Sequence, residues 1–256
     1  MIEKNVSVDV VIPVLNEEAQ LGHSVESLRA FLSERCPYRW RIVVADNGST
    51  DGTLEAAQQL ARQYPDVTYI RLERKGRGRA LRTAWLSSRA DVVSYMDVDL
   101  STNLKAFMPM IDAVVHHGYH VAIGSRLKKG ATVTRQWKRE IISRCYNLLI
   151  KLLFPHKKFS DAQCGFKALS RRAVEDLVPL VEDQAWFFDS ELLLRAEQKG
   201  YRIYEVPVNW VEDLDTRVKI FDTARKDVEG LIRVRLTPLH RAKAKRVLGD
   251  PIAQKL

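Results

Sequence analysis

The sequence predicts an α/β fold built on a doubly wound, mostly parallel sheet. Three observations predict it. Short apolar, β-branched runs recur through the first half of the chain, helical periodicity fills the gaps between them, and polar clusters able to do chemistry fall where the runs end. Continuous apolar runs are the mark of parallel strands covered by helices on both faces. Their alternation with helices is the pattern of a parallel sheet.

In chain order, the strand segments are VDVVIPV (8–14), RIVVAD (41–46), VTYIRL (67–72), DVVSYMD (91–97) and VAIGS (121–125). Leu21, Val25, Leu28 and Leu32 step by four, three and four residues, which makes one helical face. Asn16 precedes Glu17 and Glu18, so it is placed to cap that helix with acids in the first turn. Leu54, Ala57, Leu60, Ala61 and Tyr64 make a second helical face. His116, His117 and His120 surround Gly118 and read as a helix end and turn, away from any acidic motif. Residues 126–139, basic and with Gly130 and β-branched Thr132, Val133 and Thr134, predict a mobile loop. Residues 140–154 predict a helix with a narrow polar stripe (Glu140, Ser143, Arg144, Asn147, Lys151) and a wide apolar face. DSELLLRAEQKG (189–200) reads as a helix ending at Gly200. The RIYEVPV strand that follows carries Pro207, which marks an edge.

Composition bounds the function. The 256 residues are 46% hydrophobic and 29% charged, which excludes a disordered chain, a collagen and a disulfide-stapled miniprotein. The 41 Lys+Arg against 32 Asp+Glu leave a formal charge of +9. Residues 126–158 alone, where ten basic residues face the single acid Glu140, account for that excess; residues 233–246 add six basic residues and no acid. Such a surplus predicts an anionic partner: nucleic acid, a phosphorylated substrate or an acidic membrane. Cys36, Cys145 and Cys164 are odd in number, widely spaced and outside any CxxC or Cys/His cluster. This argues against zinc and for a reducing compartment. MIEKNVSVDVVIPV has neither the charged lead nor the cleavage site of a signal peptide. No run reaches the ~18 apolar residues of a membrane span; the nearest, 141–154, is broken by Arg144 and Lys151. The expected location is the cytoplasmic side.

Four polar clusters fall at strand ends: PVLNEE (13–18), DNGSTDGT (46–53), DVDLST (97–102) and GSRLKKG (124–130). Singly, each reads as an ordinary turn or polar boundary. Together at one end of one sheet they mark a site, because ligands of such sheets sit beyond the carboxyl ends of the strands. If 97–99 is extended, Asp97 and Asp99 point the same way and present two carboxylates to one cation. Mg²⁺ or Mn²⁺ takes such oxygens and completes its shell with substrate phosphates, which suits a diphosphate leaving group. RLERKGRGRAL (71–81) brings Lys75, Gly76 and Gly78 to a helix start as phosphate contacts, without the spacing of a P-loop. Cys164 reads as a small buried apolar residue. Trp137 and Trp186 read as packing residues, with a sugar platform the alternative for Trp186.

In the order VIPVLNEE, DNGSTDGT, KGRGRAL, DVDLST, GSR, QCGFKAL, FDSELLLRAEQKGYRIYEVPVNW, the chain resembles the inverting A-type nucleotide-sugar glycosyltransferases. Within them it is similar to the dolichyl- and polyprenyl-phosphate glucose and mannose synthases, over residues 6–236. The resemblance implies a GT-A-like nucleotide-diphospho-sugar transferase with C-terminal helical and edge-strand elaborations. Its domain would be 1–236, with a nucleotide-sugar half (1–125) and an acceptor half (126–236), followed by a basic tail (237–256). It further implies that Pro13, Leu15 and Glu17 line the nucleoside pocket and that Asp46 meets the base edge. Lys75, Asp97, Val98 and Asp99 would hold the donor. Asp99 would be the direct metal ligand, Asp97 would take the ribose side or a metal water, and Ser101 would stand near the metal. Gln163, Gly165, Asp189 and Glu191 would border the sugar and acceptor. Arg126 would contact the acceptor phosphate with Arg139, and either Arg217 or Lys219 would supply a third cation.

The implied activity is transfer of a hexose to polyprenyl or dolichyl phosphate with inversion. UDP-glucose is the favoured donor and GDP-mannose the second. Contact with the cytoplasmic face of an anionic membrane would be peripheral, through the apolar face of 140–154, with a buried core helix as the alternative. Two other readings carry less. A hydroxyl acceptor would require Asp189 as general base. A nucleic-acid binder leaves the acids at the strand ends unexplained.

Overall fold

The computed structural model describes residues 5–134, 136–211, 220–237, 239 and 253–255, with the side chains of 138, 139, 220–222 and 253–255 outside the description. The five expected strands form, as β1 (Ser7–Val14), β2 (Arg39–Asp46), β3 (Val67–Arg71), β4 (Val92–Met96) and β5 (Val121–Ser125). Helices α1 (Glu18–Arg35), α2 (Thr53–Gln63), α3 (Arg77–Ser87) and α4 (Phe107–Val115) connect them. β3, β2, β1 and β4 run parallel in that order. Alternate residues of the strands then fill two cores. Val8, Val10 and Ile12 of β1 pack with Leu21, Val25 and Leu28 of α1 and Phe107 and Met110 of α4. Val11 and Val43 face Trp85 of α3 on the other side. The two periodicities read from the sequence meet here, strand against helix.

The second half adds what the sequence only hinted at. QCGFKAL yields β7 (Phe166–Ser170), which lies antiparallel between β4 and β5. Helix α6 (Arg171–Leu177) follows, then α7 (Phe188–Gln198). β8 (Ile203–Pro207) pairs parallel with β5 as the sheet's last strand, the edge that Pro207 predicts. At the opposite edge β10 (Ala253–Lys255), within the expected tail, pairs antiparallel with β3.

Residues 126–139 are not the expected loop. β6 (Thr132–Thr134) pairs parallel with β9 (Asn209–Val211), because three β-branched residues are well suited to a ladder. β9 in turn bonds the segment after β4: Asn103 N donates to Asn209 O at 2.9 Å and Val211 N to Ser101 O at 3.0 Å.

Helix α5 (Trp137–Leu153) forms as expected, but its polar stripe is split, with Arg144 and Lys151 in solvent and its middle turned inward. Ser143 and Asn147 are buried, with Asn147 Oδ1 accepting from Ala162 N, while Trp137, Ile141, Ile142, Leu148 and Leu152 are exposed, Leu152 at 71%. Helix α8 (Ile220–Leu236), which has no counterpart among the elements expected from the sequence, adds Val228, Ile232 and Leu236 to the exposed apolar residues. Residues 228, 232 and 236, spaced by four, lie on one helix face.

Candidate functional site

The loops after β1, β2 and β4 open at the carboxyl end of the sheet. Asn16 does not cap α1. It sits at φ 57°, and its Oδ1 accepts from Thr50 N at 2.8 Å, so it ties the first loop to the second. Glu17 takes the cap position and its N–H donates to Thr53 Oγ1 at 2.8 Å. Pro13 and Leu15 lie half-buried beside it. Asp46, fully buried, accepts from Ser49 N at 3.0 Å and pairs with Arg71, whose other nitrogen reaches Ser49 O. Asn47 Oδ1 receives Gly76 N at 2.7 Å, which docks the glycine loop. Lys75 is exposed at its rim.

The D-x-D lies in a turn beyond β4, not in extended backbone, and Leu100 at φ 48° completes it. Asp99 Oδ1 accepts from Ser101 N at 2.9 Å. Val98 is buried, and its carbonyl accepts from Ser24 Oγ. The Asp97 side chain is 41% exposed and packs so closely on Gly165 that a Cβ there would overlap its carboxylate. Each carboxylate thus has one oxygen oriented by an internal donor. Among the described residues no cluster of three His, Cys, Asp or Glu could cage an ion. Two oriented carboxylates at a half-open turn fit a divalent cation whose remaining ligands come from substrate and water.

Arg77 was not among the expected site residues, although it stands between the two glycines of KGRGRAL. Those glycines let the loop pass beneath residues 184–188. Gly76 adopts φ 151°, and a Cβ at Gly78 would meet Phe188 Cβ at 2.6 Å. Arg77 then reaches inward, NH2 to Asp97 Oδ1 and NH1 to Asp189 Oδ2, both at 2.6 Å. Trp186, exposed, lies with its ring 5.3 Å from the guanidinium.

Asp189 in the first turn of α7 is buried and also accepts from Tyr95 OH at 2.5 Å and pairs with Lys167 Nζ at 3.0 Å. Burial alone would raise its pKa. The charges of Lys167 and Arg77 and the Tyr95 hydrogen bond overcome that and hold it below the ordinary carboxylate range. Glu191, half a turn on, is not at the site. It is buried against Arg233 of α8 at 2.5 Å and Arg195 at 3.6 Å, fastening α8 to α7.

Arg126 is already paired. Asp161 takes its Nε at 2.7 Å, its NH2 at 2.9 Å and its backbone N–H at 3.1 Å, and Trp210 lies 5.5 Å from the guanidinium. Burial would raise the Asp161 pKa, but the Arg126 charge and hydrogen bonds bring it down to about 2. Asp161, two residues before Gln163, lies outside the QCGFKAL motif and was not among the expected site residues. Gln163 Nε2 donates to Asp227 Oδ2 of α8 at 2.8 Å. Cys164 is buried, as expected, its thiol pushed up to about 12 by burial and by Asp161. The side chain of Arg139, and Arg217 and Lys219 altogether, lie outside the described residues.

A doubly wound sheet with a D-x-D turn and an Asp–Arg–Asp bridge at its carboxyl end defines a glycosyltransferase of the GT-A type. The chain belongs to glycosyl transferase family 2, whose profile covers residues 9–178. Glycosyltransferase AglD of Haloferax volcanii is 37% identical over 220 residues, 84% of this chain and 35% of that protein, so the chain spans about a third of it. Dolichyl-phosphate beta-glucosyltransferases of Saccharomyces cerevisiae and Mus musculus are 26% and 31% identical. They align with 93% and 79% of this chain, covering 76% and 67% of their own length. Glucosyl-3-phosphoglycerate synthase from Mycobacterium tuberculosis, solved with Mn²⁺, UDP-glucose and phosphoglyceric acid, shares the fold. Its TM-score is 0.68 at 20% identity, over 89% of this chain and 79% of that one.

Proposed function

We propose that the protein transfers glucose from UDP-glucose to a polyprenyl or dolichyl phosphate, with inversion, at the cytoplasmic face of a membrane. The observation that carries the choice of acceptor is the carboxylate of Asp189, engaged by Tyr95, Arg77 and Lys167. A carboxylate held ionised by three donors is a poor proton acceptor, so it does not suit a hydroxyl nucleophile. A phosphate monoester needs no such base, because its second pKa is ≈ 6 and it is mostly dianionic at neutral pH. One phosphate oxygen forms the bond to the sugar's anomeric carbon. The bond to the donor diphosphate breaks with its electron pair leaving on UDP, and no proton moves. Attack opposite the leaving group inverts that carbon.

The protein's work is electrostatic. Asp97 and Asp99 are the residues to hold Mg²⁺ or Mn²⁺, which when bound neutralises charge on the leaving diphosphate. Arg126, fixed by Asp161 beside Trp210, faces the acceptor phosphate, and Arg77 keeps Asp189 and Asp97 from repelling one another across the sugar site. Among the described residues no helix is long and apolar enough to cross a membrane. The exposed apolar residues of α5 and α8 instead support peripheral attachment, where neighbouring basic residues favour anionic lipid.

The test is a panel of UDP-glucose, GDP-mannose and other nucleotide sugars with polyprenyl phosphate, Mn²⁺ and detergent, scored for glycolipid. Glucolipid from UDP-glucose is expected. Transfer to soluble hydroxyl acceptors, with none to the lipid phosphate, overturns the reading.

A further inference from the structure

The loop 161–165 touches three parts of the site at once. Asp161 pairs with Arg126, Gly165 backs onto the Asp97 carboxylate, and Gln163 between them bonds Asp227. Asp227 belongs to none of the motifs in the sequence. It projects from α8, is only 3% exposed, and its Oδ1 has no hydrogen-bond partner among the described residues. Burying a carboxylate this way is costly, and an apolar residue there would stabilise the helix packing. The hydrogen bond it does make is to the amide of Gln163.

In the structure Gln163 donates to Asp227 through Nε2, and an amide that donates at one end carries its acceptor at the other. Asp227 therefore draws the NH₂ end of Gln163 toward itself and leaves the carbonyl Oε1 turned away. Gln163 is only partly buried, and the backbone of its loop is pinned, with Gln163 N on Asp161 Oδ1 at 3.1 Å. The loop runs from Asp161, paired with Arg126, to Gly165 against the Asp97 carboxylate, beside the D-x-D turn where the metal-bound diphosphate of a nucleotide sugar would sit.

We propose that Gln163 reads a hydroxyl of the transferred hexose through its carbonyl oxygen, and that Asp227 is the positioning residue that fixes which end of the amide faces the sugar. This rests on the nucleotide-sugar transfer reading above. It adds a determinant of sugar choice that lies outside the donor motifs and on the last helix.

Calorimetric titration of UDP and UDP-glucose in Mn²⁺, together with kcat/KM for UDP-glucose and UDP-galactose, tests it on the full chain. In Asp227→Leu and Gln163→Leu, UDP affinity should hold. The gain of UDP-glucose over UDP and the discrimination between the two sugars should each fall about tenfold, the scale of one hydrogen bond. The double variant should be no worse than either single one, because the two act through one contact. Asp227→Asn keeps an acceptor for the Gln163 amide and should restore most of the discrimination. If Asp227→Leu weakens UDP and UDP-glucose alike, its role is structural and the proposal is overturned. It is equally overturned if Gln163→Leu, whose site is not fully buried, discriminates like wild type. Wild-type protein that binds no nucleotide sugar overturns the transferase reading itself, an outcome visible before any variant is made.

Discussion

Arg77 reaches Asp97 and Asp189 with one guanidinium nitrogen each, 2.6 Å from either oxygen. The two acids are far apart in the chain and belong to different halves of the fold, one past β4 and one at the start of α7. A planar fork with fixed donors can serve both at once, which a lysine could not. The bridge joins the D-x-D turn to the first turn of α7 and sets one guanidinium between two carboxylates.

Metal dependence follows from the two oriented carboxylates. EDTA should abolish transfer, and Mn²⁺ or Mg²⁺ should restore it. Asp99→Asn should lower kcat by about hundredfold or more, and by more than Asp97→Asn. The stability order should be the reverse. Asp97→Asn also breaks the pair with Arg77 and should lower Tm, while Asp99→Asn should leave it nearly unchanged. Turnover by Asp99→Asn in EDTA at the wild-type rate would remove the metal from this turn.

The pair of Arg126 and Asp161 predicts a split in kinetics and a slope in acid. Arg126→Lys loses the fork geometry, so acceptor KM should rise while donor binding persists. Asp161 is held at about 2 in the fold, below its unfolded value of about 3.9. A depressed folded pKa gives stability that is present above the unfolded value and lost as pH falls toward the folded one. The stability gap between wild type and Asp161→Asn should therefore shrink between pH 4 and pH 2, followed by urea unfolding.

Asp227 carries the opposite sign. Burial, then the charge of Asp183, pushes its carboxyl up to about 7. A raised folded pKa gives stability that is full below the unfolded value and lost as pH rises through the folded one. Asp227→Asn should thus unfold at a higher temperature than wild type at pH 8, with the difference fading toward pH 4. A Tm difference that does not change with pH would show that Asp227 does not titrate in this range.

Membrane attachment should be separable from folding. Ile141, Leu148 and Leu152 already face outward, so replacing all three with Gln should leave Tm within a degree or two. It should also abolish flotation with anionic liposomes. High salt should partly release the wild type, as screening weakens the charge term. Flotation of the triple variant at the wild-type level would put the lipid contact elsewhere.

The first half of the fold was readable because parallel strands are continuous apolar runs and their helices carry plain periodicity. The second half was harder for physical reasons. In β7, Phe166-Lys167-Ala168 looks like one face in water, yet Lys167 is fully buried, since Asp189 and the Cys164 carbonyl satisfy its charge. In α5, the buried positions mix the polar Ser143 and Asn147 with Ile150, while apolar Leu148 and Leu152 are exposed, so polarity alone does not assign its faces. The strand-end acids of the site were legible from position alone. Arg77, Asp161 and Asp227 were not, because a charge neutralised by a partner far off in the chain leaves no local pattern.

β9 has a consequence for changing what this enzyme accepts. Three residues hold the backbone beyond the D-x-D on one edge and the strand beyond Arg126 on the other, with the Trp210 ring beside Arg126 itself. In the proposed reading, the donor and acceptor loops therefore share a single ribbon. A library built on residues 209–211 to widen acceptor scope will also shift the turn that grips the donor, and its winners will trade one substrate against the other.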